Sequence, residues 1–224
     1  GRRAVLTSVA VLASTALLHA EDKTTDGGLA LIEQKQKPKR QTLITPPGSL
    51  SARNMRQHCI TCQLCIDACP NDVLRPSSKA DRLMQPEVSY ERGYCRPECN
   101  RCSQVCPTGA IQPVTVEERT AIQVGHAVWT RDLCIPVRDG KTCGLCARKC
   151  PAQAIQMVPL VQGVHFDGRC WLDADNQPIP REQALLIPVV NEEMCIGCGA
   201  CENLCPSRPL SAIHVEGHEV HREI

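Results

Sequence analysis

Sixteen of the seventeen cysteines fall into four short runs whose spacing suits metal–thiolate chemistry. Residues 195–206 read CIGCGACENLCP, in which gaps of two residues separate three cysteines and a gap of three leads to a fourth, followed by proline. At this spacing the first three thiolates can wrap one [4Fe–4S] cluster, and the fourth ordinarily binds a neighbouring cluster. Gly197 and Gly199 let backbone N–H groups approach the anionic sulfides. The run therefore predicts a cluster site that needs a partner site.

Three further runs repeat this pattern with changes in the first gap only. Residues 59–70 (CITCQLCIDACP) keep it, residues 95–107 (CRPECNRCSQVCP) add one residue, and residues 134–151 (CIPVRDGKTCGLCARKCP) carry an eight-residue gap. Four quartets that all end in Cys-Pro form an internal repeat, which is much stronger evidence for cluster binding than a single CxxC pair. The predicted ligands of four [4Fe–4S] clusters are Cys59, Cys62, Cys65, Cys69, Cys95, Cys99, Cys102, Cys106, Cys134, Cys143, Cys146, Cys150, Cys195, Cys198, Cys201 and Cys205.

A non-redox structural module, held by zinc or disulfides, is the alternative from a different class. Zinc sites use CxxC pairs separated by longer gaps, whereas three cysteines of the fourth run lie within seven residues. A disulfide scaffold is compatible with export. However, cysteines that close together on one tight loop are poorly placed to bridge each other. The spacing therefore favours iron–sulfur clusters.

The composition also favours clusters over a conventional core. Only five of the 224 residues are aromatic, and metal–thiolate bonds can supply folding free energy in place of apolar packing. The formal net charge is +1. Four cluster sites, each at about −2 with its thiolates, bring the holoprotein to about −7. Lysine and arginine lie in scattered runs without an aromatic platform, which argues against nucleic acid as a partner.

Residues 1–20 differ from the rest and predict an export signal or a membrane anchor. Arg2-Arg3 precedes an apolar run at residues 4–18, as in a twin-arginine signal. This run is shorter than the roughly twenty residues that a membrane span needs. Leu18 replaces the small residue expected before a cleavage site after Ala20, so a retained anchor and a buried N-terminal helix are alternatives. Residues 21–50, punctuated by glycine and proline, are predicted to be a linker.

Residues 51–224 are predicted to form a four-cluster domain of the α+β class. It would consist of two bacterial dicluster-ferredoxin-like units with short strands and helices, preceded by an N-terminal apolar helix. Ser51 should cap a helix over residues 52–58, which leads into the first quartet. Residues 119–125 could form a helix fragment. Short strands are predicted at residues 127–130, 154–158 and 187–190.

Two hairpins are predicted beyond the cysteine loops. One is the insertion at residues 159–188, which contains two turn signals, and the other covers residues 212–221 and turns at residues 216–217. Cys170 in the insertion is interpreted as a small buried apolar residue, in preference to a ligand or a redox thiol. A polar strand face is the favoured interpretation, over a metal site, for the three tail histidines: His214, His218 and His221.

The chain resembles the four-cluster ferredoxins of the NapG/MauM type. The resemblance covers most of the chain and includes the Arg2-Arg3 start, the TPPGSL segment at residues 45–50, the long first gap of the third quartet and the regular fourth quartet. The second quartet departs from the family pattern, and the insertion at residues 159–188 is longer than the resemblance leads us to expect. The resemblance implies export to the periplasmic face of a bacterial inner membrane. It also implies a NapH-type membrane ferredoxin that oxidises quinol as one partner, and a periplasmic reductase or c-type cytochrome as the other.

The expected function is electron relay, without a substrate site of its own and therefore without enzyme activity. The chain has no G-x-G-x-x-G, P-loop or HExxH motif. Four clusters in one small protein would form a wire from a membrane quinol-oxidising partner to a periplasmic reductase. An electron-input subunit of another membrane oxidoreductase is the alternative. The loop at residues 135–142 is a candidate docking element, because it lengthens one cluster's edge without supplying a ligand.

The fourth cysteine of each quartet is expected to bind a cluster other than that of its own first three. Two pairings satisfy this: first with second and third with fourth, or first with fourth and second with third. Four-cluster subunits of molybdenum enzymes, which the chain resembles in layout, use the second, nested scheme. The short link between quartets two and three and the long return through residues 159–188 favour the same scheme.

Iron content tests the ligand set. Four complete clusters predict about 16 Fe per chain. The Cys170→Ser variant should keep this content, whereas Cys198→Ser should lose at least one cluster. Anaerobic iron and sulfide analysis measures both, and a wild-type content near half this value would contradict the prediction.

Overall fold

The first helix of the described part of the chain begins where its capping residue predicts. In the computed structural model, α1 (Ala52–His58) follows Ser51, whose hydroxyl accepts a hydrogen bond from the N–H of Asn54 at 3.0 Å. This bond satisfies one of the backbone donors that a helix N-terminus leaves free. Because α1 ends directly before Cys59, the cap also determines where the first quartet starts. The helix predicted over residues 52–58 is confirmed.

The structure describes residues 35–181 and 183–224. The predicted N-terminal apolar helix, the export signal at residues 1–20 and the first part of the predicted linker lie outside these ranges. Within them, no helix combines the length and the apolar character needed to cross a bilayer.

The N-terminal half of the described chain is built from short helices around one hairpin. β1 (Leu74–Pro76) pairs antiparallel with β2 (Pro86–Val88), with Leu74 opposite Val88. This pairing turns the chain back on itself between the first and second quartets. The other elements of this half are α1, α2 (Leu64–Asp67), a 3₁₀ helix (Ala80–Arg82), α3 (Arg101–Gln104) and α4 (Val116–Ala121).

The C-terminal half repeats this plan with longer strands. β4 (Ile155–Pro159) pairs antiparallel with β8 (Leu186–Val190) and returns the chain from the third quartet to the fourth. The strands predicted at residues 154–158 and 187–190 are therefore confirmed. The other elements are β3 (Ile122–Trp129), a 3₁₀ helix (Arg131–Leu133), α5 (Ile135–Arg138), α6 (Leu145–Arg148), β5 (His165–Phe166), β6 (Trp171–Leu172), β7 (Pro178–Ile179), a 3₁₀ helix (Glu192–Met194), α7 (Ala200–Leu204) and β9 (Ile213–Glu223).

The insertion between β4 and β8 is a three-stranded meander rather than the single hairpin predicted. β6 pairs antiparallel with both β5 and β7. The two predicted turn signals lie at its bends, where Gly168 and Asn176 have φ angles of 96° and 59° that suit these residue types. Cys170 is half-buried, and its thiol lies 3.9 Å from the Asp167 carboxylate. Its interpretation as a buried apolar residue is therefore wrong.

β3 and β9 form an antiparallel ribbon that reaches both halves. The hairpin predicted over residues 212–221 is wrong, because Gly217 pairs with Gly125 of β3 instead of turning. Val124 of β3 packs in the core of the N-terminal half, and Ala127 packs in the core of the C-terminal half. The ribbon therefore connects the two cores.

Gly125 lets the fourth quartet lie directly on this ribbon. A Cβ atom at Gly125 would lie 2.2 Å from the carbonyl oxygen of Glu216, and one at Gly197 would lie 2.7 Å from the carbonyl oxygen of Gly125. Only glycine fits two backbones that approach so closely. The same pairing ends α4 at Ala121, so the helix fragment predicted over residues 119–125 is correct only for its first residues.

Residues 35–50 belong to the fold, so the linker prediction is wrong for them. The buried carboxylate of Glu202 accepts hydrogen bonds from the Arg40 guanidinium and, at 2.8 Å, from the N–H of Val215. Lys35 Nζ donates to the backbone carbonyl of Asn203 at 2.8 Å. Arg40 and Glu202 are 162 positions apart in the chain, so local composition carried no signal of this contact.

The Arg40→Met substitution should destabilise the protein, because it leaves the buried Glu202 carboxylate without its cation. Removing one partner of a buried ion pair costs about 3–5 kcal/mol. Far-ultraviolet circular dichroism during anaerobic heating should show a lower midpoint, partly recovered when Glu202→Gln is added. Lys37→Met breaks the more exposed ion pair with Glu87 and serves as the control. Its unfolding midpoint should shift little. An unchanged midpoint for Arg40→Met would contradict this role.

Candidate iron–sulfur sites

The last cysteine of the second quartet lies with the first three cysteines of the first. Burial, followed by the negative charge of Cys59, Cys62 and Cys106, raises the pKa of the Cys65 thiol to about 12. The same four cysteines also line one apolar cavity. We call Cys59, Cys62, Cys65 and Cys106 group A.

Cys69 makes the reciprocal crossing from the first quartet to the second. Burial, followed by the charge of Cys95 and then of Cys69, raises the pKa of the Cys102 thiol to about 12, and Cys99 acts in the same direction. Helices α2 and α3, which follow the two cysteine loops, pack on each other at this site. We call Cys69, Cys95, Cys99 and Cys102 group B.

The C-terminal half repeats this exchange between the third and fourth quartets. Burial, together with the charge of Cys195 and Cys150, raises the pKa of the Cys198 thiol to about 12. Burial and the charge of Cys143, Cys134 and Cys205 do the same for Cys146, and these four cysteines line a second apolar cavity. Group C is Cys150, Cys195, Cys198 and Cys201, and group D is Cys134, Cys143, Cys146 and Cys205.

The nested pairing predicted from the sequence is therefore wrong. The first quartet exchanges its fourth cysteine with the second, and the third exchanges with the fourth. The physical reason is that β1 pairs with β2 and β4 pairs with β8, so each half folds back on itself. The insertion at residues 159–188 forms its own meander on this return path and does not carry the chain back to the first quartet.

Within each half, the two thiol groups are direct neighbours. Cys65 of group A is among the charges that raise the pKa of Cys102 in group B. Cys146 of group D likewise acts on Cys201 of group C, whose pKa burial raises well above its usual value. Group A is therefore adjacent to group B, and group C to group D.

Groups B and C meet where the two halves join. The N–H of Cys95 donates to the carbonyl oxygen of Cys198 at 2.9 Å, and the Cys95 charge also raises the Cys198 pKa. The hydroxyl of Tyr90 donates to the carbonyl oxygen of Gly197 at 2.5 Å. The four groups therefore form a row in the order A–B–C–D, in which quartets three and four appear in reverse of their chain order.

These groups fit a polynuclear cluster better than a single metal ion or a disulfide. Backbone N–H groups of Ile111 and Ala212 each lie 3.4 Å from a thiol sulfur, of Cys106 and Cys205, and such donors stabilise anionic thiolates. Each group takes three cysteines from one quartet and the fourth from its partner quartet, which is the ligand pattern of paired [4Fe–4S] clusters. The zinc and disulfide alternatives are therefore not favoured.

The three tail histidines do not converge on a common point. Each histidine has a partner of its own: His214 lies 3.2 Å from Glu216, His218 lies 2.9 Å from His126, and His221 lies 3.0 Å from Thr45.

Two buried polar residues at the junction of groups B and C were missed by sequence reasoning. Arg119 on α4 is fully buried, and its Nη2 donates to the sulfur of Cys95 at 3.2 Å. Burial acts to lower the pKa of Arg119, but the charge and hydrogen bond of Cys95, together with the charges of Tyr90 and Cys198, outweigh this and raise the pKa. Tyr90 is also buried, and burial raises its pKa. Both residues lie outside the quartets, so no spacing pattern pointed to them.

Comparison with protein families agrees with this grouping. Residues 58–124 and 141–208 each match the family described as the 4Fe-4S dicluster domain. The chain belongs to this family. Two dicluster domains imply four [4Fe–4S] clusters, as predicted from the cysteine runs. The second match begins after Cys134, the cysteine that precedes the eight-residue gap.

Similar proteins identify which type of dicluster ferredoxin this chain is. The methylamine utilization ferredoxin-type protein MauM of Methylobacillus flagellatus is 32% identical over 186 residues, which are 80% of this chain and 70% of that protein. MauM of Paracoccus denitrificans is 30% identical over 79% of this chain and 73% of its own length. The ferredoxin-type protein NapG of Escherichia coli is 27% identical over 81% of this chain and 76% of its own length. The chain is a ferredoxin-type electron-transfer protein of the MauM/NapG type, which confirms the resemblance.

Double substitutions distinguish the observed pairing from the nested one. Cys69→Ala with Cys102→Ala removes two thiols of group B, so one cluster should be lost and about 4 Fe with it. Under the nested scheme the same pair would damage two clusters. Iron analysis and spin quantification of the reduced protein measure the difference. The matched control, Cys69→Ala with Cys198→Ala, should affect two clusters, and the opposite result for the two doubles would contradict the grouping.

Proposed function

We propose that this dicluster ferredoxin relays electrons from a NapH-type, quinol-oxidising membrane partner to a periplasmic reductase or c-type cytochrome. The observation that carries the proposal is the unbranched row of thiol groups A–B–C–D. Bound [4Fe–4S] clusters supply reversible one-electron transfer. A row with two distinct ends suits a protein that receives electrons from one partner and delivers them to another.

The sixteen cysteines of groups A to D are the proposed ligands, and Cys170 is not among them. Burial shields group C within the row, because its Cys195, Cys198 and Cys201 are buried residues. At the outer end of the row, Cys62 of group A is exposed. This difference favours electron exchange at the group A end over exchange through group C.

Group D is the proposed docking end for a second partner. A cavity of about 700 Å³ lies beside Cys143 and is lined by the rings of Phe166 and Trp171, whose centroids are 5.3 Å apart. Its described lining contains no acidic side chain but does contain three arginines: Arg148, Arg169 and Arg181. The holoprotein as a whole should be acidic, so group D forms a locally basic end that suits an acidic partner surface.

The exposed turn at residues 139–142 is the part of the predicted docking loop that can meet a partner. The rest of that loop is α5 (Ile135–Arg138), where Pro136 is buried and Val137 packs against the core of the C-terminal half. Shortening residues 135–142 would therefore disturb packing, whereas side-chain changes in the exposed turn should not.

The proposed location is the periplasmic face of a bacterial inner membrane. The Arg2-Arg3 pattern and the following apolar run support export or anchoring. The arginines would remain on the cytoplasmic side by the positive-inside bias. A cluster domain exported in this way would lie on the side of the membrane where the proposed quinol-linked donor delivers electrons.

Reconstitution with membranes that contain the NapH-type partner tests the proposal. Reduced quinol should reduce the clusters, measured by the loss of absorbance near 400 nm. A variant with Asp139, Lys141 and Thr142 changed to alanine should pass electrons to its acceptor more slowly at unchanged iron content. The matched control changes Lys79, Asp81 and Arg82 to alanine. These residues line neither the cavity nor a thiol group, so this variant should transfer electrons at the wild-type rate.

Two results would contradict the proposal. Clusters that stay oxidised with partner and quinol, yet are reduced by dithionite, would mean that the donor is wrong. Equal slowing in both triple variants would mean that the exposed turn beside group D is not a docking element. Added salt should slow transfer if charged surfaces guide docking.

A further inference from the structure

The Arg119 guanidinium occupies an unusual position for a buried cation. The residue is fully buried, and no carboxylate forms an ion pair with it within residues 35–181 and 183–224. Its Nε and Nη1 atoms are buried without hydrogen-bond partners, and its Nη2 donates to the Cys95 sulfur at 3.2 Å. A buried cation is retained only when a nearby anion compensates for lost hydration. The anion on this side is the thiolate site of group B.

Arg119 is the one charged donor to a grouped thiol in the part of the chain that the structure describes. The other hydrogen-bonding groups at grouped sulfurs there are backbone N–H groups, the Thr108 hydroxyl and the Trp129 indole, which carry no net charge. The charges of Cys95 in group B and Cys198 in group C both act on Arg119. The guanidinium therefore lies at the junction of the two inner groups, with its hydrogen bond directed to group B.

We propose that Arg119 is a positioning residue that raises the reduction potential of the cluster bound by Cys69, Cys95, Cys99 and Cys102. Reduction adds one electron and no proton, so the charge of the cluster with its four thiolates changes from about −2 to about −3. A fixed cation stabilises the reduced state more than the oxidised state. Because the side chain is buried, water screens this charge less than it screens exposed charges. Dithionite supplies this electron when the potential of the cluster is measured.

The inference depends on the proposed ligand role of Cys95 but not on the quinol donor. Arg101 provides a matched control, because it lies within the same quartet, next to Cys102, and its side chain is exposed. Removing its charge should have little effect, since solvent screens it. A difference between the two arginines therefore isolates the buried position from the charge itself.

Potentiometry followed by electron paramagnetic resonance tests the role of Arg119 in the purified holoprotein. Arg119→Met should lower the reduction equilibrium constant of one cluster at least about tenfold, which is about 59 mV for one electron. Arg119→Gln, which keeps a neutral donor, should give a similar shift. Arg119→Lys keeps the charge, so the potential of this cluster should stay close to the wild-type value. Arg101→Met should change the reduction equilibrium constant of each cluster less than about twofold. Iron content should stay at the wild-type level in all four variants.

Separate outcomes overturn the separate parts of this inference. Four retained clusters with unchanged potentials in Arg119→Met would exclude a tuning role. Loss of the cluster in both neutral variants would assign Arg119 to cluster retention instead and overturn the proposal. An Arg101→Met shift as large as that of Arg119→Met would refute the argument from burial. Unchanged iron content in Cys95→Ala would refute the ligand assignment itself, independently of any quinol assay.

Discussion

The exchange of the fourth thiol between paired quartets is the constraint on which the rest of this structure depends. A quartet that sends its last cysteine to its neighbour cannot complete a thiol group alone, so the two loops must fold together. The β1–β2 and β4–β8 pairings supply this by reversing the chain between the loops. Metal–thiolate bonds then stabilise both loops at once, which suits a chain with only five aromatic residues.

Contacts between the two halves align their thiol groups in one row. The β3–β9 ribbon contributes side chains to both cores, and the backbone hydrogen bond from Cys95 to Cys198 joins groups B and C. Residues 35–50 cross this arrangement and place Arg40 against Glu202 on α7. The central junction therefore contains two arginine side chains removed from solvent, Arg40, which lies over the Tyr90 ring, and Arg119, which donates to Cys95. Both would be costly without adjacent anions.

The two ends of the row differ from each other. Group A has an exposed cysteine, whereas group D lies beside a cavity lined by arginines and two aromatic rings that the insertion contributes. The meander of the insertion therefore changes the charge and shape of one end without adding a thiol ligand. The two ends of the row therefore present surfaces of different charge and shape to solvent.

The cysteine spacing by itself determined the cofactor, the number of clusters and the fact that fourth thiols cross between quartets, because these follow from local loop geometry. The Ser51 cap and the strands beside the third and fourth quartets were predictable for the same reason. Tertiary structure alone decided which quartets exchange thiols, since a choice between two pairings depends on hairpin returns rather than on spacing. It also decided that Ile213–Glu223 form a strand along β3, that Arg119 is buried and that the Arg40 side chain is largely removed from solvent. These outcomes depend on contacts between distant parts of the chain, where burial and ion pairing outweigh local turn and linker composition.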